Sequence, residues 1–223
     1  MIRTALVVAL CVAAAFPQAQ EPFNGKDLTG WKLKGSAEKS KWKVGKASLD
    51  PNDPRKLAFA EGGTEMVNTE GKGVDIYSEA KFGDSLIEVE LMVPKQSNSG
   101  VYVLGEYEVQ VLDSWGKEKL GTGDIGALYG AAPPKVNASK APGEWQKIVI
   151  DFRTAKFDDG GKKTANARFV KVELNGQVIQ ENVEMKGVTP SGVTGKEAAT
   201  GSIMFQGDHG PVAYRNIKVT PVK

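Results

Sequence analysis

The stretch SLIEVELMV, residues 85 to 93, decides the fold class. Its apolar residues Ile87, Val89 and Leu91 alternate with polar residues, and Glu90 is one of the two glutamates between them. A period of two residues is typical of a β-strand that packs one face against a core. The segment therefore predicts a half-buried strand with both glutamates on its polar face.

Similar short runs follow along the chain, separated by turns rich in glycine and proline. They read GVYVL, YEVQVL, QKIVIDF, ARFVKVEL, GQVIQ, SIMFQ and YRNIKV. The pair Asn175-Gly176, between two of these runs, is a strong signal for a type I′ hairpin turn. Many short strands with little helical periodicity predict an all-β sandwich or barrel.

The first 20 residues have the composition of a secretory signal peptide. Arg3 precedes an apolar run from Ala5 to Phe16, and small residues follow near Ala19. The run is shorter than the roughly 20 apolar residues that span a bilayer. We predict a cleavable signal peptide at residues 1–20, a single domain at residues 21–223, and a secreted or periplasmic location.

Cysteine and charge narrow the class of protein further. Cys11 leaves a lipoprotein signal as an alternative, although Leu10 stands before it where a small residue is normally required. Removal of the signal leaves no cysteine and therefore no disulfide. The chain has 29 basic and 27 acidic residues, so it has no general attraction for nucleic acid or anionic membranes. We predict neither a nucleic-acid partner nor a membrane span.

The run YEVQV places Glu108 and Gln110 together on one strand face, opposite Tyr107 and the valines. Residues two apart on a strand are separated by roughly 6.6 to 6.8 Å. Retaining glycosidases need two carboxyl groups about 5 to 5.5 Å apart, and a glutamine cannot act as nucleophile or proton donor. This pair by itself therefore cannot carry out glycoside hydrolysis by double displacement. Its face is either solvated or the floor of a cleft, and Glu90 could supply a second carboxylate only if the two strands adjoin.

Two further residues have side chains suited to proton transfer. Asp113 ends the same strand, where its carboxylate could bind a ligand, transfer a proton or accept hydrogen bonds in a turn. His209 is the only histidine, and it stands in a loop between Gly207 and Gly210. Its ordinary pKa lies near neutral pH, so it is either an acid/base group or a polar residue of a surface loop. Trp115, beside Asp113, could serve as a sugar platform or a loop anchor.

Cofactor binding has little support in the sequence. A single histidine and the lack of cysteine outside the signal exclude the usual zinc ligand sets. Carboxylates and carbonyl oxygens leave a divalent cation open. No nucleotide-binding motif is present, so no organic cofactor is implied.

An ordered set of stretches resembles the 3-keto-disaccharide hydrolase domain family, from Phe23 to about Val219. They are FNGKDLTGW, YSEAKFGD, NSGVYVLGEYEVQVLDSW, GALYGAAPP, APGEWQKIVIDF, LNGQVIQENVE and FQGDHGPVAYRNIKV. The resemblance implies a concanavalin A-like jelly-roll sandwich of two antiparallel sheets. It also implies a small-molecule saccharide substrate, oxidised to a ketone at sugar C3.

Matching this chain to the family motifs implies roles for individual residues. Proton transfers are assigned to Glu108, Asp113 and His209. Saccharide contacts are assigned to Glu90, Asn98, Gln110, Tyr129 and Gln206, with Trp115 added from its position beside Asp113. The NSG motif at residues 98–100 is read as a turn. Gly105-Glu106 departs from the family, since many members have a basic residue just before the YEVQ strand.

The reaction that the resemblance implies does not require a second carboxylate. A ketone at C3 acidifies the C2 proton, so a base can form an enolate that expels the group on C1, and water can then add. The alternative is a non-catalytic, lectin-like carbohydrate-binding module, because this fold hosts both classes. A structural or interaction module is a third interpretation.

Overall fold

The computed structural model describes residues 18–222. In chain order the strands are β1 (Trp31–Lys34), β2 (Trp42–Leu49), β3 (Leu57–Asn68), β4 (Asp75–Ser78), β5 (Ser85–Met92), β6 (Asn98–Val103), β7 (Tyr107–Leu112), β8 (Gln146–Arg153), β9 (Lys156–Phe157), β10 (Lys163–Ala165), β11 (Ala167–Leu174), β12 (Gln177–Met185), β13 (Met204–Phe205) and β14 (Val212–Pro221). A short 3-10 helix covers Ala37–Lys39.

Two antiparallel sheets face each other across one main core. The seven-stranded sheet has the order β12-β11-β8-β5-β14-β3-β2, and the five-stranded sheet has the order β1-β4-β13-β6-β7. A small hairpin pairs β9 with β10. This arrangement confirms the predicted all-β jelly-roll sandwich.

From residue 85 onward, alternation predicted every strand correctly except the short β9 and β10. In β5, Ile87, Val89 and Leu91 are buried in the core, as their spacing requires. The Asn175-Gly176 turn joins β11 to β12 with positive φ at both residues, 52° and 81°, which is the type I′ requirement. The predicted hairpin is therefore confirmed.

The structure adds four strands, β1 to β4, that the periodicity did not reveal. In β3 the alternation is broken at Gly62-Gly63, and the pairing of β2 with β3 shifts register between Gly45 and Lys46. Residues 61–64 of β3 have no partner in β2 and interrupt the alternation of apolar and polar residues, so no regular period of two runs through the strand. The structure also adds the short strands β9 and β10, which pair with each other.

An aromatic stack ties the two sheets together. Trp31 stacks on Phe205 with ring centroids 5.4 Å apart, and Phe205 stacks on Tyr214 at 4.0 Å. Trp31 and Phe205 belong to the five-stranded sheet, whereas Tyr214 belongs to the seven-stranded one. The Tyr214 hydroxyl is hydrogen-bonded to Ser99 Oγ at 2.8 Å, so its burial leaves no polar atom unsatisfied.

The predicted signal peptide lies outside the described residues except for its last three positions. Gln20, the last of them, exchanges two backbone hydrogen bonds of 2.8 Å with Val219 in β14. The folded unit thus includes Gln20, one residue before the predicted start of the domain. Within residues 18–222, no helix has the length and apolarity needed to cross a membrane.

Replacing the central ring of the stack tests the core. We expect Phe205→Ala to lower the free energy of unfolding by about 3 to 5 kcal/mol, because it removes ring contacts with both sheets and leaves a cavity. Urea denaturation would measure this, with Val178→Ala as a control at an exposed apolar position. Equal effects of the two substitutions would contradict the assigned role of the stack.

Candidate functional site

The outer face of β6 and β7 brings polar side chains together. Gly100 pairs with Gln110 and Tyr102 pairs with Glu108. These side chains lie opposite the core, since alternate residues of a strand point to opposite faces. The core-facing residues of β7 are Tyr107, Val109 and Val111. Glu108 and Gln110 are nevertheless only 3% and 5% exposed, so their face is covered rather than solvated.

Residues Asn98 to Gly100 are the first three residues of β6. The interpretation of this NSG motif as a turn was therefore wrong. Ser99 points inward to Tyr214, and alternation turns Asn98 and Gly100 outward. The strand conformation places Asn98 beside the pairs formed with β7.

The same face continues across the sheet toward β4. The backbone amide of Gln206 donates to Gly100 O at 3.0 Å, and the backbone amide of Gly207 donates to Asp75 Oδ1 at 3.0 Å. Asp75, Gln206, Gly100 and Gln110 therefore form one row across four neighbouring strands, which are spaced about 4.8 Å apart.

Gly100, in the middle of this row, leaves room for a side chain of the neighbouring strand. A Cβ at position 100 would lie 2.2 Å from Glu108 Oε1, so the carboxylate occupies the space that a side chain would take. We call the surface around Gly100 the Gly100 cup. Its residues are Asp75, Asn98, Gly100, Tyr102, Glu108, Gln110 and Gln206.

Three buried amide oxygens in the cup have no hydrogen-bond partner among the described residues. They are Asn98 Oδ1, Gln110 Oε1 and Gln206 Oε1. Each unsatisfied buried polar atom costs about 1 to 3 kcal/mol, so native structures contain few. Three within one cup are suited to a ligand with several hydrogen-bond donors.

Glu108 is the titratable centre of the cup. Burial raises the pKa of its carboxyl group to about 7, and the charges of Asp75 and Asp208 act in the same direction. The Tyr102 hydroxyl and the positive charge of His209 act in the opposite direction. A carboxyl group with a pKa near 7 can both accept and donate a proton at neutral pH.

The loop that contains His209 is held over one side of the cup. Gly207 O accepts a hydrogen bond from Asn68 Nδ2 at 2.7 Å, and Asp208 O accepts one from the Lys72 amide at 3.1 Å. The His209 ring is half exposed and is paired through Nδ1 with the Asp208 carboxylate. This carboxylate orients the imidazole ring at the rim of the cup.

A family model, the 3-keto-alpha-glucoside-1,2-lyase-like domain, matches residues 18–220. The chain belongs to this family. The resemblance found in the sequence motifs is thereby confirmed.

Solved structures of related chains share the fold. A proposed glycosyl hydrolase from Parabacteroides distasonis is 29% identical, with a TM-score of 0.70, and the match covers 92% of this chain and 84% of that one. A second from the same organism is 20% identical, with a TM-score of 0.62 and coverage of 92% and 94%. A comparison with curated proteins finds no match.

Among the residues implied by the family motifs, the structure gathers Asn98, Glu108, Gln110 and Gln206 in the cup, with His209 close enough to influence the charge of Glu108. Sequence reasoning did not single out Asp75 or Tyr102. Alternation from Asn98 through Gly100 could have placed Tyr102 on this face. Asp75 offered no such signal, because β4 was not recognised as a strand.

Asp113 is engaged by the turn that follows β7. Its Oδ2 accepts a hydrogen bond from the Gln96 amide at 2.9 Å, and its Oδ1 accepts one from the Trp115 amide at 3.2 Å. The turn alternative considered for Asp113 is thus realised in the structure, and it fixes the corner before Asn98. The Trp115 side chain is 58% exposed beyond the end of β7.

The other two motif residues lie outside the cup. Tyr129 is 44% exposed, and its amide donates to Glu108 O at 3.2 Å, which places it along the outer edge of β7. Glu90 lies in the seven-stranded sheet, on the face opposite its core, and pairs with Arg215 Nε at 2.8 Å. Strands β5 and β7 belong to different sheets, so Glu90 does not supply a second carboxylate beside Glu108.

The residue types of the cup bear on metal binding. Among residues 18–222, no group of three or more His, Cys, Asp or Glu side chains has an arrangement that could hold a metal ion. The amide oxygens of Asn98, Gln110 and Gln206 are neutral oxygen donors, a ligand type that divalent cations accept.

Adding a methyl group at position 100 should move the Glu108 side chain. The φ angle of Gly100 is not positive, so Gly100→Ala suits the backbone, but its methyl group must displace the Glu108 carboxylate. We expect the side chain to move toward solvent and its pKa to fall toward the ordinary value of about 4.3. Carboxyl ¹³C NMR would measure this, with the signal assigned by comparison with Glu108→Gln.

A matched glycine provides the control for this substitution. A Cβ at Gly83 would meet its nearest neighbour at an ordinary 3.6 Å, so Gly83→Ala should leave the pKa of Glu108 unchanged. An unaltered pKa of Glu108 in Gly100→Ala would refute the proposed contact.

The raised pKa of Glu108 should also make stability depend on pH. The folded protein holds this proton up to about pH 7, whereas the unfolded chain releases it near 4.3, so stability falls as pH rises between these values. Glu108→Gln should therefore be more stable than wild type at pH 8, by roughly 4 kcal/mol at most. The advantage should vanish below pH 4, as measured by urea denaturation across pH. A pH-independent difference would contradict the assignment.

Proposed function

We propose that this protein is a secreted or periplasmic enzyme that cleaves glycosides or disaccharides oxidised to a ketone at sugar C3. Membership of a family described as 3-keto-alpha-glucoside-1,2-lyase-like supports the substrate class and the elimination chemistry. The 29% identical structure of a proposed glycosyl hydrolase supports action on a glycosidic bond. The charged and apolar character of residues 1–20 supports export.

One observation carries the proposal: three buried amide oxygens without a hydrogen-bond partner lie in the same cup as a buried carboxyl group with a pKa near 7. Sugar hydroxyls are donors that would satisfy the amide oxygens of Asn98, Gln110 and Gln206. The amide NH₂ groups of the same side chains are donors for a ketone or enolate oxygen. We therefore propose that a sugar ring binds at the cup beside Glu108.

In the proposed first step, Glu108 acts as the base that removes the C2 proton. The C–H electron pair forms an enolate, with its negative charge on the C3 oxygen. The enolate then re-forms the C3 ketone and creates a C1–C2 double bond while the C1–O bond breaks. Water adds across this double bond, so that the net reaction is hydrolysis.

The leaving oxygen needs a proton as the C1–O bond breaks. His209, paired with Asp208 and half exposed at the rim, is the group we propose for this proton transfer. Asp113 would contribute by holding the corner before Asn98, since both of its oxygens accept backbone hydrogen bonds. Tyr129 and Trp115 remain candidates for contacts with the leaving group because both are exposed.

An activity assay would test the proposal on 3-keto glucosides and 3-keto disaccharides, with the unoxidised sugars as controls. We expect release of the leaving group from keto substrates alone, with an acidic limb near pH 7 because Glu108 must be ionised. Glu108→Gln and His209→Ala should each lower kcat/KM by about 10² to 10⁴. A chelator arm would reveal any requirement for a divalent cation.

Two further arms make the assay specific. Glu90→Gln removes a carboxylate from the outer face of the other sheet and should retain activity. Turnover in D₂O should introduce solvent deuterium at C2 of the product sugar. Saccharide binding without turnover of any keto substrate would instead identify a carbohydrate-binding module, and turnover without deuterium at C2 would exclude elimination.

A further inference from the structure

Glu106, two residues before Glu108, is buried against a loop segment that donates hydrogen bonds to its carboxylate. Its side chain is 3% exposed, and its carboxylate accepts hydrogen bonds from Thr194 N at 2.7 Å, Thr194 Oγ1 at 2.8 Å and Gly195 N at 2.9 Å. The backbone reinforces this contact, because Thr189 N donates to Glu106 O at 2.8 Å. Glu106 therefore fastens both ends of residues 189–195 to the start of β7, one end through its backbone carbonyl and the other through its carboxylate.

The close approach of this segment requires glycine. A Cβ at Gly192 would lie 2.2 Å from Glu106 Oε2, and a Cβ at Gly105 would lie 2.7 Å from Val193 Cγ2. Gly105 also has a φ of 72°, which disfavours other residues. The glycines at positions 105 and 192 thus allow residues 189–195 to pack closely against the start of β7.

The same segment touches the Gly100 cup at two points and reaches a third cup residue through Lys34. Thr189 Oγ1 accepts the Glu108 amide proton at 3.1 Å, and Pro190 O accepts a hydrogen bond from the Tyr102 hydroxyl at 3.2 Å. Ser191 O accepts one from Lys34 Nζ, which also pairs with Asp75 at 3.4 Å. Residues 189–195 therefore form a wall beside the cup.

We infer that Glu106 is a positioning residue that fixes residues 189–195 as the wall of the Gly100 cup, an inference that rests on the proposed function. Glu106 touches neither the cup nor a sugar placed in it, and acts through the segment that it holds. This gives a role to the acidic residue that departs from the family pattern.

Detaching the wall should change the exposure of Glu108 more than its electrostatic surroundings. Residues 189–195 contain no ionisable side chain. The groups that face Glu108 lie on other elements, and Lys34 reaches the cup through Asp75. These facing groups are Tyr102 on β6, Asp75 on β4, and Asp208 and His209 in the loop after β13. Water admitted beside the carboxylate would favour its charged form.

Two substitutions would detach the wall by different routes. Glu106→Ala removes the acceptor, whereas Gly192→Ala keeps the carboxylate and forces the segment away from it. In both variants we expect the pKa of Glu108, followed by carboxyl ¹³C NMR, to fall by at least about one unit. We also expect the acidic limb of kcat/KM to move to lower pH with it, and KM to rise about tenfold as the sugar loses one wall. Glu106→Gln keeps one acceptor oxygen and should lie between wild type and Glu106→Ala.

A matched carboxylate provides the control. Asp84 accepts hydrogen bonds from Thr154 N at 2.8 Å and Thr154 Oγ1 at 2.9 Å, so it holds its segment as Glu106 does, but its partners lie outside the cup. Asp84→Ala should lower stability while leaving the pKa of Glu108 and the KM unchanged.

The outcomes separate this inference from the proposed function. If wild type turns over no keto sugar but the pKa of Glu108 still falls in Glu106→Ala or Gly192→Ala, the inference stands and the proposed function fails. If folded Glu106→Ala and Gly192→Ala both keep the wild-type pKa of Glu108, the inference is overturned whatever the activity. A pKa shift of the same size in Asp84→Ala would also overturn it, because the effect would then be a general loss of stability.

Discussion

The pairing register of β6 and β7 is the constraint on which both the core and the cup depend. With Gly100 opposite Gln110 and Tyr102 opposite Glu108, alternation directs Val109 and its apolar neighbours inward and the polar pairs outward. A slip of one residue would bury the polar set in the core and expose the apolar set. The inward face resists such a slip, and in doing so it holds the cup in place.

The lack of a side chain at Gly100 lets this register bring the polar groups of the cup together. Gly100 lets the Glu108 carboxylate lie over the strand beside it, where it loses contact with water and its pKa rises. The Gln206 amide hydrogen-bonded to Gly100 O continues the same row toward Asp75. A side chain at position 100 would separate these groups, so the chemistry proposed for the cup depends on the residue that contributes no side chain to it.

Period-two alternation predicted most of the fold and the correct face for Glu108 and Gln110. Side chains of a half-buried strand point alternately to core and surface, so apolar and polar residues alternate in its sequence. It could not assign strands to sheets, so Glu90 and Glu108 looked equivalent although they lie on opposite sheets. The NSG motif has the composition of a turn, yet pairing with β7 makes it a strand. Coverage of the polar face depends on loops from distant parts of the chain, which leave no periodic signal.

Glu106 and Glu108 show why burial alone does not define a reactive carboxyl group. Both are 3% exposed, but Glu106 accepts three hydrogen bonds from Thr194 and Gly195, which replace those it would make with water. Glu108 faces Asp75 and Asp208, and its burial is not compensated to the same extent, so it holds its proton to about pH 7. The fully bonded carboxylate is suited to holding a wall, and the under-bonded one to exchanging a proton. The two environments arise two residues apart on one stretch of chain, because the wall that Glu106 fastens is also what keeps water from Glu108.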